Sequence, residues 1–199
     1  MGVFNTANVK IGPGTLYAAP LGTTEPTAVT GAWPATWYAL GFTDQGSTFS
    51  FGPAVSPVEV EELFWPVEQA ITGYSGKLSF VLAETTRQNL AFALNAGIGS
   101  AIDATSQGTN VDGSLWQEPP APGAEVRLML GWDSIPEAGT TSTDPFARFI
   151  LRQTIQTGMV TRLARKGNNK SMYACEFALE FPKTGLQPFR FIEEPNMAA

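Results

Sequence analysis

Ten consecutive residues near the C-terminus, MYACEFALEF (172–181), alternate without a break. Tyr173, Cys175, Phe177, Leu179 and Phe181 fall on one parity, and Met172, Ala174, Glu176, Ala178 and Glu180 on the other. Successive side chains of a strand point to opposite faces, so this run is a strand with one face in a core and one face wet. Shorter runs repeat the pattern. TFSFG (48–52) puts Phe49 and Phe51 opposite Thr48 and Ser50, and GKLSFVLAE (76–84) puts Leu78, Phe80 and Leu82 on one side. GTLYAAP (14–20), TWYALGF (36–42), EVRLMLGW (125–132), FARFILRQ (146–153) and FRFIEE (189–194) complete about eight strands.

One helix is expected, in TTRQNLAFALNAG (85–97). Thr85 and Gln88 have the spacing of a capping box, Leu90, Ala91, Phe92 and Leu94 supply an apolar stripe, and Gly97 is placed to stop it after about three turns. Fifteen prolines and twenty glycines in 199 residues punctuate the rest. The expectation is a mainly β chain: a β-sandwich or rolled barrel with one packed α-helix and long loops, in a single domain over 1–199. Two irregular regions stand out within it, a long hairpin excursion near 56–74 and a long loop region over 98–123.

The chain contains no histidine and one cysteine. Histidine-dependent triads, His–metal sites and thiolate zinc sites are therefore excluded, as is an internal disulfide. GYSGK (73–77) lacks the spacing of a phosphate-binding loop, and GPGTLY (12–17) opens a strand where a dinucleotide loop needs a helix. No cofactor and no metal are expected. The N-terminal MGVFNTANVK has no apolar signal region, and no run approaches the roughly 20 apolar residues that cross a bilayer, so no membrane binding is expected. Glu59 with Glu61, and Glu176 with Glu180, share strand faces at spacings that would suit a carboxylate pair, but alternating Glu is the ordinary signature of a solvated sheet. Trp33, Trp37, Trp116 and Trp132 would be the stacking platforms of a carbohydrate-binding β-sandwich.

The formal charge is −6, which argues against holding nucleic acid by phosphate neutralisation. Its distribution is uneven. Residues 1–76 hold one base, Lys10, and six acids; residues 146–190 hold eight bases and two acids. The two halves are set to attract each other, within one subunit or between neighbours. A basic turn, RLARKGNNKS (162–171), concentrates Arg162, Arg165, Lys166 and Lys170.

The segment VEVEELFWPVEQA (58–70) begins as a strand and then departs from it. Glu62 falls on the wrong parity, Leu63, Phe64 and Trp65 stand in a row, and Pro66 has no N–H for a central ladder. Either the aromatic pair fills the subunit's own core, or the hairpin leaves its sheet and carries an aromatic anchor to another subunit. In the second reading Leu63, Phe64, Trp65 and Pro66 make the inter-subunit contact, and Glu62 and Glu68 meet bases such as Arg162 or Arg165.

Several segments in order resemble the major tail tube proteins of long-tailed, non-contractile (siphovirus-type) bacteriophages, those of actinobacteriophages in particular. They are VKIGPGTLYAAPLGTTEPT near the start, WYALGFTDQG (37–46), the acidic strand running into its P-V hairpin, GKLSFVLAETTRQNLAFALNAG, and KSMYACEFALEFPKTGLQPFRF. The likeness spans 8–97 best and 170–192 well. It implies a phage tail tube fold and a non-enzymatic structural subunit of the virion, made in the host cytoplasm. It also implies hexameric rings stacked into a hollow conduit for genome delivery, with a tape measure protein and a tail terminator as partners. A tail terminator or head–tail adaptor ring is the alternative, and a carbohydrate-binding β-sandwich a more distant one. In a closed ring the polar strand faces would line the bore, presenting Ser50, Glu59, Glu61, Ser79, Glu176 and Glu180 beside Thr48, Lys77, Ala174 and Ala178. Such a surface repels duplex DNA weakly and lets it pass without specific binding.

Overall fold

A computed structural model describes residues 14–59, 61, 64–134, 147–163, 171–182 and 185–193. Among these, eleven strands and one helix are formed. The strands are β1 (Gly14–Pro20), β2 (Tyr38–Ala39), β3 (Thr43–Val58), β4 (Glu68–Leu82), β5 (Gln107–Thr109), β6 (Leu115–Gln117), β7 (Leu128–Ser134), β8 (Ala147–Gln156), β9 (Thr161–Leu163), β10 (Met172–Leu179) and β11 (Phe189–Glu193). The helix α1 spans Arg87–Ala93. Nine strands form one antiparallel sheet in the order β2-β1-β7-β8-β10-β4-β3, with β11 added to β8 and β9 to β10. β5 and β6 make a separate small hairpin inside the long loop.

The sheet rolls over on itself. β8 pairs with β11 along Ala147–Leu151 and with β10 from Thr154 to Gln156, so the sheet forks there. The β3–β4–β10 side comes to lie over the β1–β7–β8–β11 side. Phe49 of β3 accordingly packs against Trp132 of β7, Phe149 of β8 and Phe189 of β11, at ring separations of 5.3–5.8 Å. Leu16, Leu78, Leu82, Leu130, Leu151 and Phe177 fill the space between. α1 plugs it by inserting Phe92 against Phe80 and Phe177, at 6.2 and 4.7 Å.

The helix is capped differently from expectation. Thr86 is the N-cap, its hydroxyl accepting from the Asn89 amide at 3.1 Å. Asn95 (φ 59°), not Gly97, takes the left-handed position just after it. Asn tolerates that conformation, and here its side-chain amide is also tied to both backbone groups of Gln156, at 2.9 and 2.8 Å. The helix is consequently nearer two turns than three. Gly97 is required for another reason: at φ 105°, a Cβ would lie 2.1 Å from the Ala101 carbonyl oxygen, inside the short 3-10 turn that follows.

A second core lies on the outer face of β1, β7 and β8, and the loop 21–37 folds down to cover it. Trp37 is buried there with Ala19, Met129 and Ile150, and Trp33 stacks on Tyr17 at 4.6 Å. Beneath Trp33 lies a buried ion pair. The Arg148 guanidinium donates to both carboxylate oxygens of Asp133, at 2.7 and 2.9 Å, and to the carbonyls of Ala28 and Gly31. Trp33 Nε1 donates to the same carboxylate at 2.7 Å. The five hydrogen bonds satisfy charges that burial would otherwise make costly. Nearby, Arg152 holds Glu25 at 2.5 and 3.0 Å, joining the basic C-terminal part to the acidic N-terminal part within one subunit.

The strands depart from expectation in both directions. 36–42 yields two paired residues where a longer strand was expected, while 48–52 and 76–84 prove to be parts of strands of 16 and 15 residues. Those strands extend well beyond the core, so no alternating burial pattern marks their outer halves.

Candidate assembly surface

The outer halves of β3 and β4 form a hairpin that projects from the body. Pairing continues out to Val58–Glu68, and Val67 N–H donates to the Val58 carbonyl at 2.9 Å. One irregularity occurs: Thr72 is an extra residue between the Ala54–Gly73 and Val55–Ile71 pairs. Its hydroxyl donates to the Ala54 carbonyl at 3.1 Å, satisfying the acceptor that the bulge would leave open.

The bulge preserves a face. A single extra residue on β4 brings Ile71 back opposite Val55, so Phe51, Pro53 and Val55 stay on one side with Tyr74 and Ile71. This is the side that, nearer the body, carries Phe49 and Leu78 into the core. The core face thus runs out along the hairpin, where no part of the described subunit covers it. Val55, Ile71 and Tyr74 are 51%, 57% and 65% exposed. At the end, Phe64 is 105% and Trp65 82% exposed, so neither ring fills the subunit's own core. Pro66 and the carboxylates Glu59, Glu61 and Glu68 are exposed beside them. Glu62, Leu63 and Arg165 lie outside the described residues; Arg162 is placed only through its backbone, opposite Tyr173 at the β9–β10 pairing.

A second surface is polar. The register stacks Thr48, Ser79 and Glu176 in one cross-strand row of β3, β4 and β10, and Ser50, Lys77 and Ala178 in the next. Lys77 Nζ donates to Glu176 at 2.9 Å, the two side chains being 55% and 38% exposed. The opposite parity carries Phe49, Leu78 and Phe177 inward. Glu180 departs from the pattern of a free solvated acid, because it accepts from Arg127 Nε at 3.2 Å and from Gln153 Nε2 at 2.8 Å. Glu59 and Glu61, further out, belong to the hairpin's end and are separated from this patch.

The four tryptophans named as sugar platforms are engaged elsewhere. Trp37 is 6% exposed, Trp33 covers Arg148 at 4.6 Å, Trp132 stacks on Phe149 at 4.3 Å, and Trp116 lies over Gly108 in the β5–β6 hairpin. Cys175 is buried, and desolvation pushes its thiol up to about 12, as for a packed apolar side chain. No group of metal-ligating side chains occurs among the described residues, and no helix there is long and apolar enough to cross a membrane.

Sequence reading missed the groove at the hairpin's root, which has a volume of about 730 Å³ and is walled by Phe51, Tyr74, Leu179, Phe181 and Phe189. Phe51, Phe181 and Phe189 are expected on strands and Tyr74 in the hairpin excursion, but their convergence depends on the fork at β8.

Among solved structures, the chain is similar to a chain in "Cryo-EM structure of the anti-feeding prophage (AFP) baseplate, 6-fold symmetrised", at 9% identity and a TM-score of 0.48, over 93% of this chain and 95% of that one. Curated proteins include no match. The family model described as phage tail tube protein matches residues 1–118, more than half of the 199. The chain belongs to the phage tail tube protein family.

Proposed function

We propose that the protein is the repeating subunit of a phage tail tube, joining identical copies into six-membered rings that stack as a hollow conduit for the genome. The number six, and the tape measure protein and tail terminator as further partners, follow from the resemblance to siphovirus tube subunits. The observation that carries the reading is the hairpin: an apolar face continuous with the core, ending in two uncovered aromatic rings, on a chain of a tail tube family. A solitary protein gains nothing by holding such a surface in water, whereas an interface anchors on it.

Two further features support it. Among the described residues β3 pairs with β4 alone, which leaves its other margin for a strand of the next copy. The Thr48–Ser79–Glu176 patch would then face the bore, with Ser50 and the Lys77–Glu176 pair beside it. Nearly neutral and short-chained, it would offer duplex DNA, with about one charge per 1.7 Å, no binding site. The role is structural and needs no catalysis or cofactor. Negative-stain microscopy of the purified protein and of the phage tail tests it. Hollow tubes built from this chain are expected; a protein that stays monomeric at high concentration and is missing from the tail overturns it.

A further inference from the structure

We propose that Asp112–Gly113 is a latent isoaspartate site, held closed in the folded protein by the side chain of Ser114. The proposal is independent of the tube reading. Asp112 stands at the one place in the sequence where an Asp or Asn precedes Gly. That order has a chemical consequence. The amide nitrogen of a glycine has no side chain beside it to shield it, so it can attack the side-chain carbonyl carbon of the preceding Asp. A bond forms between the Gly113 nitrogen and Asp112 Cγ, one carboxyl oxygen leaves as water, and a cyclic imide results. Water then returns and opens the ring. Cleavage between the nitrogen and Cγ restores Asp. Cleavage between the nitrogen and the main-chain carbonyl carbon routes the chain through Cβ and Cγ instead, and leaves the old main-chain carboxyl as the side group.

The fold requires this glycine. Residues 111–113 close the β5–β6 hairpin, beyond the Thr109–Leu115 pair and an Asn110 N–H that donates to the Ser114 carbonyl at 2.7 Å. Gly113 stands at φ 83°, in the left-handed region, and a Cβ built there would touch nothing. Backbone conformation, and not space, therefore selects glycine. Asp112 and Gly113 are both exposed to the water that the reaction consumes.

Both reacting groups are nevertheless withheld. The Gly113 N–H donates to the Asn110 carbonyl at 2.9 Å, which engages the attacking nitrogen. Asp112 Oδ1 accepts from the Ser114 hydroxyl at 2.7 Å and from the Ser114 amide at 2.9 Å. These two bonds, the hydroxyl's first, hold the carboxyl below its ordinary range and so keep it ionised. An ionised carboxylate is a poor electrophile, and this one is also tied toward Ser114. The hydroxyl is aimed in turn by Asn110 Nδ2, which donates to Ser114 Oγ at 2.8 Å. Isomerisation would insert a carbon into the main chain of this turn and disturb β6, which lies against α1.

The test incubates the full-length chain for weeks at neutral pH, folded and in urea. Isoaspartate is read by an isoaspartate-specific methyltransferase, and its position by a protease that cuts before Asp but not before isoaspartate. The folded wild type should accumulate little at residue 112, and the urea-unfolded wild type much more. Folded Ser114→Ala should isomerise on the order of tenfold faster than folded wild type, the scale of losing one hydrogen bond to a charged group. Ser114→Thr, which keeps the hydroxyl, should stay slow; its rate separates loss of the hydroxyl from a general loosening of the hairpin. Folded wild type that isomerises as fast as the unfolded chain overturns the proposal. So does Ser114→Ala at the wild-type rate, or Ser114→Thr at the rate of Ser114→Ala.

Discussion

Phe51 and Tyr74 stack face to face across β3 and β4, their ring centroids 5.6 Å apart and their planes within 3° of parallel. They are diagonal neighbours, Phe51 opposing Gly76 and Tyr74 opposing Pro53, and they mark where the hairpin leaves the body. On the inner side Phe51 meets Phe189 edge-on at 5.1 Å. The same ring thus closes the subunit core and opens the surface by which copies are proposed to join.

Trp65→Ala should separate folding from assembly. The side chain is 82% exposed, so its loss should leave the midpoint of urea unfolding unchanged within error. If the ring anchors an interface, tube formation followed by sedimentation should fall at least tenfold in apparent association constant, since such anchors contribute about 2 kcal/mol or more.

Asp133→Ala leaves the Arg148 guanidinium buried against Trp33 with its carboxylate partner gone. Breaking a buried pair by removing one member costs about 3–5 kcal/mol, and chemical denaturation should register a loss of that size. The double variant Asp133→Leu with Arg148→Met should recover most of it, because no unpaired charge is then left inside.

Thr86→Ala removes the hydroxyl that caps α1 through the Asn89 amide. Equilibrium denaturation should show a loss of about 1 kcal/mol. Thr85→Ala, at the residue expected from sequence to begin the helix, should be near neutral.

Lys77→Ala should cost less than about 1 kcal/mol, its ion pair with Glu176 being solvent-exposed and screened. Glu176→Lys should be equally mild for folding. If the patch faces the bore, the tubes it forms should retain duplex DNA at low salt in co-sedimentation, and release it as salt rises.

Cys175 links stability to alkaline pH. Its thiol is raised from an ordinary 9.0 to about 12 by burial, so between those values the folded state holds a proton that the unfolded state has released. The stabilising contribution is complete below pH 9.0 and is lost as pH rises through about 12. Urea unfolding compared between the wild type and Cys175→Ala should show a steeper alkaline decline in the wild type. The thiol should also resist maleimide at pH 8 until the chain is denatured.

Much of the strand content could be read directly from the alternation. Tyr173, Cys175 and Phe177 are buried as their parity requires, and Leu78, Phe80 and Leu82 likewise. β8 was harder, because two cores use its two faces: Leu151 enters the inner one and Ile150 the outer. The loop 21–37 carried turn residues in its sequence, but nothing local announced that it would be drawn down as a cover by Arg148 and Arg152. Arg148 reaches Ala28 across 120 positions, and Arg152 reaches Glu25 across 127. The Phe64–Trp65 pair stood out as anomalous from its spacing alone, but whether it pointed inward or outward was not a local property.

By itself the sequence determined the elements that depend on nearest neighbours along the chain: the two-residue period of β10, the single short helix, the turns at Gly and Pro, and the exclusion of histidine and paired-cysteine chemistry. Only the tertiary structure decided which faces are covered. Burial is set by what packs from elsewhere in the chain, and the same apolar parity that is core at Phe49 becomes open surface at Val55 because the opposing strands end first. The groove at Phe51 and Phe189, and the projection of the hairpin beyond it, exist only once the sheet has rolled and forked.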